Sequence, residues 1–249
     1  MRPLFDYTLH LADNCLIMGH RLSEWTGHGP MLEQDIAISN IALDLIGQSR
    51  NFYQYAASQK ENASEDTLAY LRDTREFKNL LIAEKANGDW AQTITKLFFF
   101  SSYQYYLYRQ MISSADIQLA AIAEKSLKEV TYHVRWSGDW AIRLGDGTDE
   151  STLRMQKAID NIWPLTGEMF ATASYERALL KDDISVDVSH LKNDWIKKVL
   201  AVFEEATLNM PGNDVWMQTG GKDGIHSEEM GYILSEMQFL QRAYPGCEW

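Results

Sequence analysis

The sequence predicts an all-α fold, and three observations carry that prediction. Apolar side chains recur at intervals of three and four residues rather than two, which is the period of a helix. Only 5 prolines and 15 glycines interrupt 249 residues, so the periodic segments are long. The interruptions are also clustered, at Thr26-Gly27-His28-Gly29-Pro30, Gly145-Asp146-Gly147 and Thr219-Gly220-Gly221-Lys222-Asp223-Gly224, and such clusters end helices.

A first helix is expected over residues 5–25, turning Leu9, Leu16, Ile17 and Leu22 inward and stopping at the Gly27 cluster. Pro30 suits a helix start, where its missing amide hydrogen costs nothing. The helix from 31 to 58 carries Ile36, Ile38, Ile41, Leu43, Leu45 and Ile46 on nearly every side, which places it in the middle of a bundle. After a polar link over 58–73, a third helix is expected to reach residue 113. It should loosen at Ala86-Asn87-Gly88-Asp89, where Gly is a poor helix former and Asn and Asp compete for backbone hydrogen bonds. A fourth covers 115–144. The fifth, 149–180, contains Pro164, which should kink it by removing one backbone bond and crowding the preceding turn. A sixth spans 189–209. Residues 219–224 read as a flexible loop, and Ser227 before Glu228 and Glu229 reads as the cap of a last helix reaching Ala243.

With 28.6 kDa and 45% hydrophobic residues, the chain is long enough for a large core, and one domain over residues 1–249 is expected. The 23 basic and 35 acidic residues leave a net charge of −12. A surface of that sign repels phosphate backbones and anionic lipids, so neither nucleic acid nor a membrane is an expected partner. Cys15 and Cys247 make no disulfide framework or zinc spacing. Asp6 and Asp13 stand where a signal peptide would be apolar, and no apolar run approaches bilayer length. A soluble cytoplasmic protein is expected.

Several blocks carry a resemblance. They are Leu11-Ala-Asp-Asn14, Arg21-Leu-Ser-Glu-Trp25, Ser39-Asn-Ile-Ala-Leu-Asp44, Gly47-Gln-Ser-Arg-Asn51, Asn87-Gly-Asp89, Lys128-Glu129 with Tyr132-His133, and Arg143-Leu-Gly-Asp-Gly-Thr148. Further on come Glu205-Ala-Thr-Leu-Asn209, Thr219-Gly-Gly-Lys222 and Glu236-Met-Gln-Phe-Leu-Gln-Arg242. In this order and spacing, over the whole chain, they resemble the C-subunit family of the multicomponent phenylacetyl-CoA epoxidases of phenylacetic acid degradation. Hydrophobic period alone admits several bundles; the resemblance implies the ferritin-like one, two helical hairpins with helices appended at the C-terminal end. It further implies a reaction of the complex, in which NADPH, through a reductase known as the E subunit, serves a di-iron centre in the catalytic A subunit that epoxidises the aromatic ring. The C subunit is implied to be a structural partner of the A subunit, alongside a B subunit, with no cofactor or metal of its own.

The residues agree with that implication. A ferritin-like di-metal centre takes a Glu from each of two helices and a Glu-x-x-His pair from each of the other two. Position i−3 instead holds Tyr7 for His10, Ile17 for His20, Trp25 for His28, Val130 for His133, Asp187 for His190 and Asp223 for His226. On the second helix Asn40, Asp44 and Gln48 form a polar seam at i, i+4 and i+8, which is either the remnant of a metal site or a core hydrogen-bond network. Both readings require partners inside. Glu84 has Asn87 where a ligand His would stand; Glu129 has Tyr132 there, with His133 one residue late. Amide and phenol are poor substitutes for imidazole at such a site. If Asp44, Glu84 and Glu129 converge, a positive group must replace the metal, and Lys85, Lys128 and His133 are the nearby candidates.

Other readings compete. Asp44, Glu84, Glu129 and His133 form an irregular ligand set for an autonomous di-iron oxygenase. A helical acyl-CoA-binding module is a third possibility, opposed by the acidic balance, since a phosphate site needs local basic groups. His20, Glu24 and His28 share i, i+4, i+8 spacing, but Gly27 should end the helix before His28 and leave a hydrogen-bonded helix end. Phe98-Phe-Phe100 with Tyr103, Tyr105, Tyr106 and Tyr108 serves either a subunit interface or an internal core. The loop at Lys222 and His226 and the last helix are candidates for docking on the A subunit. No nucleophile triad, phosphate loop or dinucleotide fingerprint is present.

Overall fold

The computed structural model describes residues 2–212 and 214–247. Among them every regular element is helical and there is no strand, and the all-α, ferritin-like plan of two long hairpins holds. The chain divides into two compact units. One is built from the residues up to Ala86 together with those from Gly220 onward, the other from Asn87–Thr219. No helix among the described residues is long and apolar enough to cross a membrane.

The first unit is organised by the hairpin of α1 (Pro3–Ser23) and α2 (Leu32–Ser58). Leu9, Leu16, Ile17 and Leu22 are buried as expected. Gly27 closes the turn after α1 with φ +81°, a conformation glycine adopts without strain. Pro30 does not start α2; the extended residue Met31 caps it. Gly19 lets the helices approach, since a Cβ there would lie 3.2 Å from the Ala42 carbonyl and the Leu45 Cβ. Ile38, Ile41 and Leu45 face this contact, but Ile36, Leu43 and Ile46 are exposed, so α2 is not buried all round.

The polar link contains a helix the sequence reading missed, α3 (Glu65–Tyr70), started by reciprocal Ser64 and Thr67 capping bonds. The expected third helix is broken into pieces. A 3-10 turn at Thr74–Glu76 leads into an extended strap over residues 77–80, then one helical turn, α4 (Leu81–Glu84), and a second break. Two causes are visible. The Lys78 and Leu80 amides donate to the side chains of Asp13 and Asn14, so those donors serve a tertiary contact rather than a helix. Gly88 takes φ +59° and Asp89 caps the next helix by accepting from the Gln92 amide at 2.9 Å. The C-terminal segment closes this unit with a 3-10 turn at Gly221–Asp223, α10 (Glu228–Met237) and α11 (Phe239–Ala243). The 219–224 segment is no free loop: Lys222 is buried and Gly224 packs so closely that a Cβ would sit 2.2 Å from the Arg75 carbonyl oxygen. Ser227 makes no side-chain cap.

The second unit pairs α5 (Trp90–Met111) with α6 (Ile117–Gly145) and adds α7 (Asp149–Ile162), α8 (Ser174–Leu180) and α9 (Lys192–Glu205). Pro164 breaks the predicted fifth helix into α7, two 3-10 turns and α8. Phe98, Phe99 and Phe100 are fully buried, and Tyr103 and Tyr108 nearly so. Phe99 packs against Trp163, Trp195 and Phe203 at centroid distances of 5.4–6.0 Å, and the Trp195 indole donates to the Phe99 carbonyl at 3.0 Å. The aromatic run is therefore internal core, with only Tyr105 and Tyr106 half-exposed.

Candidate functional site

In the first unit α1 projects His10, Asp13 and Asn14, one helical face, onto the extended strap. Asp13 is fully buried, and its carboxylate accepts from the Lys78 amide at 2.8 Å, the Tyr53 hydroxyl at 2.5 Å and the guanidinium of Arg72, itself buried. Arg72 also stacks 4.1 Å above the Phe77 ring and donates to the Glu76 carbonyl at 2.8 Å. Burial works against the Arg72 charge, but Asp13 outweighs it and holds the guanidinium above its ordinary range. Burial and the same carboxylate push the Tyr53 phenol well up. The buried cation here is thus neutralised on the spot.

Two histidines bracket the strap in opposite charge states. His10 donates from Nδ1 to the Lys78 carbonyl at 2.7 Å and receives the Asn14 amide at Nε2 at 3.2 Å, which is the pattern of a neutral ring. Burial, then the charge of Lys222, lowers it to about 3. His226 faces two acceptors instead, the Glu84 carboxylate from Nδ1 at 2.7 Å and the Phe77 carbonyl from Nε2 at 3.0 Å. Satisfying both requires the imidazolium. Burial alone would lower this group, but the Glu84 bond and charge, the Phe77 carbonyl and Asp13 together raise it. Since the folded value lies above the unfolded one of 6.5, the stabilisation is full below pH 6.5 and is lost as pH rises through the folded value. The difference in unfolding free energy between wild type and His226→Gln, measured by urea titration, is expected to be largest near pH 6 and to shrink toward pH 9. A difference that grows with pH would contradict this assignment.

Glu84 is the one expected ligand position whose surroundings are fully explicit. It is buried at the end of α4, and its oxygens accept from His226, from the Asn79 amide at 3.0 Å and from the Ser227 backbone at 2.7 Å. The counter-charge is His226, which lies 142 residues away in sequence, and not Lys85. Lys85 pairs with Glu229 at 2.8 Å, and that carboxylate also takes the Ala86 amide and, at 3.5 Å, Arg21. Lys128 is exposed and meets no described acceptor. Asn40 is exposed and Asp44 half-exposed, so the polar seam is not internal throughout; only Gln48 is buried, accepting from the Cys15 thiol at 3.7 Å. The seam lies on the edge of the α1 contact, where the helix turns toward solvent.

In the second unit Asn87 accepts from the ammonium of Lys96 at 2.8 Å. Lys96 is fully buried on α5, and the sequence reading did not find it. A positive group thus sits within hydrogen-bond reach of the side chain at one of the expected metal-site positions. Glu129 is half-buried, Tyr132 is exposed and sets its edge against the ring of the buried His133 at 6.3 Å. His28 lies beyond the end of α1, bonding the Thr26 carbonyl, while Glu24 pairs with Arg21.

The donor set is a poor one for a di-iron centre. Glu84 is committed to three protein donors, both His226 nitrogens are hydrogen-bonded to acceptors, and Asn87 faces an ammonium group. Among the described residues no group of three or more His, Cys, Asp or Glu is arranged to hold a metal ion.

Comparison with known proteins places these features in context. The profile of the family described as phenylacetic acid catabolic protein matches residues 1–249. The chain is also 47% identical to the C subunit of the 1,2-phenylacetyl-CoA epoxidase of Escherichia coli K12, over 249 residues and the full length of both.

Proposed function

The chain belongs to the phenylacetic acid catabolic protein family, and we propose that it serves as the C subunit of a phenylacetyl-CoA epoxidase, a non-catalytic partner of the di-iron A subunit. Ring oxidation, with reducing equivalents from NADPH delivered by a separate reductase, belongs to that partner in this reading, and the C subunit is cytoplasmic with the rest of the complex. The internal charges of this chain support a structural role, because the carboxylate and amide at expected ligand positions are occupied by protein groups.

The observation that carries the pairing is the outer face of α2. Leu32, Ile36, Leu43 and Ile46 are 72%, 51%, 65% and 39% exposed, and at offsets of 4, 11 and 14 residues they fall on one stripe of the helix. Exposed apolar side chains on one stripe, interrupted by Ser39, on a protein of net charge −12 suit a surface for another protein, and this spacing is that of side chains that interdigitate with a second helix. Leu43→Glu and Ile36→Glu place a charge on solvent-exposed positions and should leave the fold intact. Co-expressed with the A subunit, each is expected to weaken the complex by at least about tenfold, the scale of burying an unpaired charge in an interface. Size-exclusion chromatography and co-purification measure it. An undiminished complex would remove α2 as the docking face, and two tightly bound irons per chain in the isolated protein would remove the non-catalytic reading.

A further inference from the structure

The second unit also carries a groove that the subunit role leaves unused. It has a volume of about 530 Å³ and lies between α5, α6 and α9, a size typical of small-molecule sites. Each helix contributes one face, with residues three, four and seven apart. Val134, Gly138, Ile142, Ala201 and Val202 form an apolar wall.

Around that wall the charges are separated by position. Phe98 of α5 and Val202 of α9 both lie near Gly138 of α6, at 3.4 and 3.8 Å from where its Cβ would be, and Gly145 abuts Ala206. These contacts set the register. Residues 112–116 join α5 to α6 as an antiparallel hairpin, so Arg109, three turns beyond Phe98, sits toward the Arg135 end of α6. Lys198, one turn before Val202, sits at the same end, while Glu205 lies toward Ile142. Among the described residues, Arg109, Arg135 and Lys198 have no ion-pair partner and the Tyr105 and Tyr106 hydroxyls no hydrogen-bond partner. Arg109 and Arg135 only stack on Tyr105 and Tyr132, at 5.6 and 5.8 Å. Burial and Asp194 push the Tyr106 hydroxyl up, so it stays a neutral donor. In a chain with 35 acidic and 23 basic residues, three cations and two phenols are thus gathered toward one end of an apolar trough; the carboxylate there, Asp194, pairs with Lys197 at 3.6 Å, and Asp139 and Glu205 stand toward the other end.

We infer that this groove binds a small organic anion with a single charged head, a carboxylate or phosphate ester joined to an apolar or aromatic body. The head meets the guanidinium, ammonium and phenol donors, where charge-assisted hydrogen bonds are strong. The body lies over Gly138 and Val202. The carboxylates at the far end repel a second anionic group, so a molecule charged at both ends is excluded. The inference does not depend on the docking face of α2.

Isothermal titration of the full chain with 3-phenylpropanoate, phenyl phosphate and terephthalate tests it. The first two are expected to bind saturably at one site, their ratio telling carboxylate from phosphate preference, and terephthalate at least about tenfold more weakly. Arg135→Glu with Lys198→Glu reverses the charge at exposed and half-exposed positions and should cost about tenfold or more, the scale of losing a charged hydrogen bond. Ala201→Trp fills the trough from an exposed position while keeping every charge, and should abolish binding. Saturable binding that ignores both variants, terephthalate binding as tightly as the single-headed anions, or no saturable binding of either single-headed probe would overturn the proposal.

Discussion

Replacing Asp13 with alanine is expected to lower the unfolding free energy by about 3–5 kcal/mol, the cost of stranding a buried charge. Its carboxylate has no exposed surface, and Arg72 retains only 7%, so little water can take over when the partner is removed. The Lys78 amide and Tyr53 hydroxyl lose their acceptor in the same step, and the extended strap loses the anchor that keeps it out of a helix. Asp13→Asn keeps the shape and one acceptor but leaves the guanidinium uncompensated, and belongs near the lower end of that range. The double substitution Asp13→Leu with Arg72→Met removes both charges and should recover much of the loss, because a buried ion pair is strong against losing one member and weak against joint apolar replacement. Urea titration followed by circular dichroism measures all three. A loss below about 1 kcal/mol for Asp13→Ala would mean that water reaches Arg72.

The long helices were legible in the sequence, and the reason is their period. In α6 the buried residues Leu119, Ile122, Ala123, Ser126, Val130, His133, Val134, Ser137 and Ala141 recur at three and four, and Asp116 caps its first turn by accepting from the Leu119 amide at 3.0 Å. For α2 the extent was legible but the inward face was not, since Ile36, Leu43 and Ile46 are as apolar as Ile38, Ile41 and Leu45. Periodicity reports only that apolar residues recur, and an exposed apolar stripe satisfies it as well as a core does. The third helix failed for a tertiary reason: the amides of Lys78 and Leu80 are claimed by side chains 65 and 66 residues away, which no local propensity records. Asn87 and Glu84 stood out as misfits among metal-ligand spacings, and both prove to be hydrogen-bonded to cations. The cations themselves were hidden. His226 has no glutamate one turn before it and reads in sequence only as part of a candidate docking loop, although its carboxylate comes from α4, and Lys96, between Thr95 and an apolar run, has the local pattern of a snorkelling surface lysine. Asp13 and Asn14 lay within one of the blocks that carried the resemblance, yet only their grip on the strap explains what those side chains do.

Glu84→Ala is the other substitution expected to cost about 3–5 kcal/mol, here because three buried donors, from His226, Asn79 and Ser227, lose their acceptor together, but its effect should be concentrated in one part of the chain. The carboxylate holds His226 and Ser227, and Glu229 one turn later takes Lys85 and the Ala86 amide. These two carboxylates form the charged attachments between the α4 turn and α10. Without Glu84, the imidazolium has lost its counter-charge and deprotonates, retaining one of its two acceptors. The segment from Gly220 onward should then open more readily, and amide hydrogen exchange there should accelerate before the α1–α2 hairpin is affected. Glu84→Gln separates charge from shape: its oxygen still accepts from Asn79 or Ser227, and its NH₂ group can donate to Nδ1 of a neutral His226 that keeps its Nε2 bond to the Phe77 carbonyl, so it should recover part of the loss. It also removes the anion that raises His226. The decline of stability between pH 6 and pH 9 seen relative to His226→Gln should therefore vanish in a Glu84→Gln background. Persistence of that decline would assign the titration to a different pair of groups.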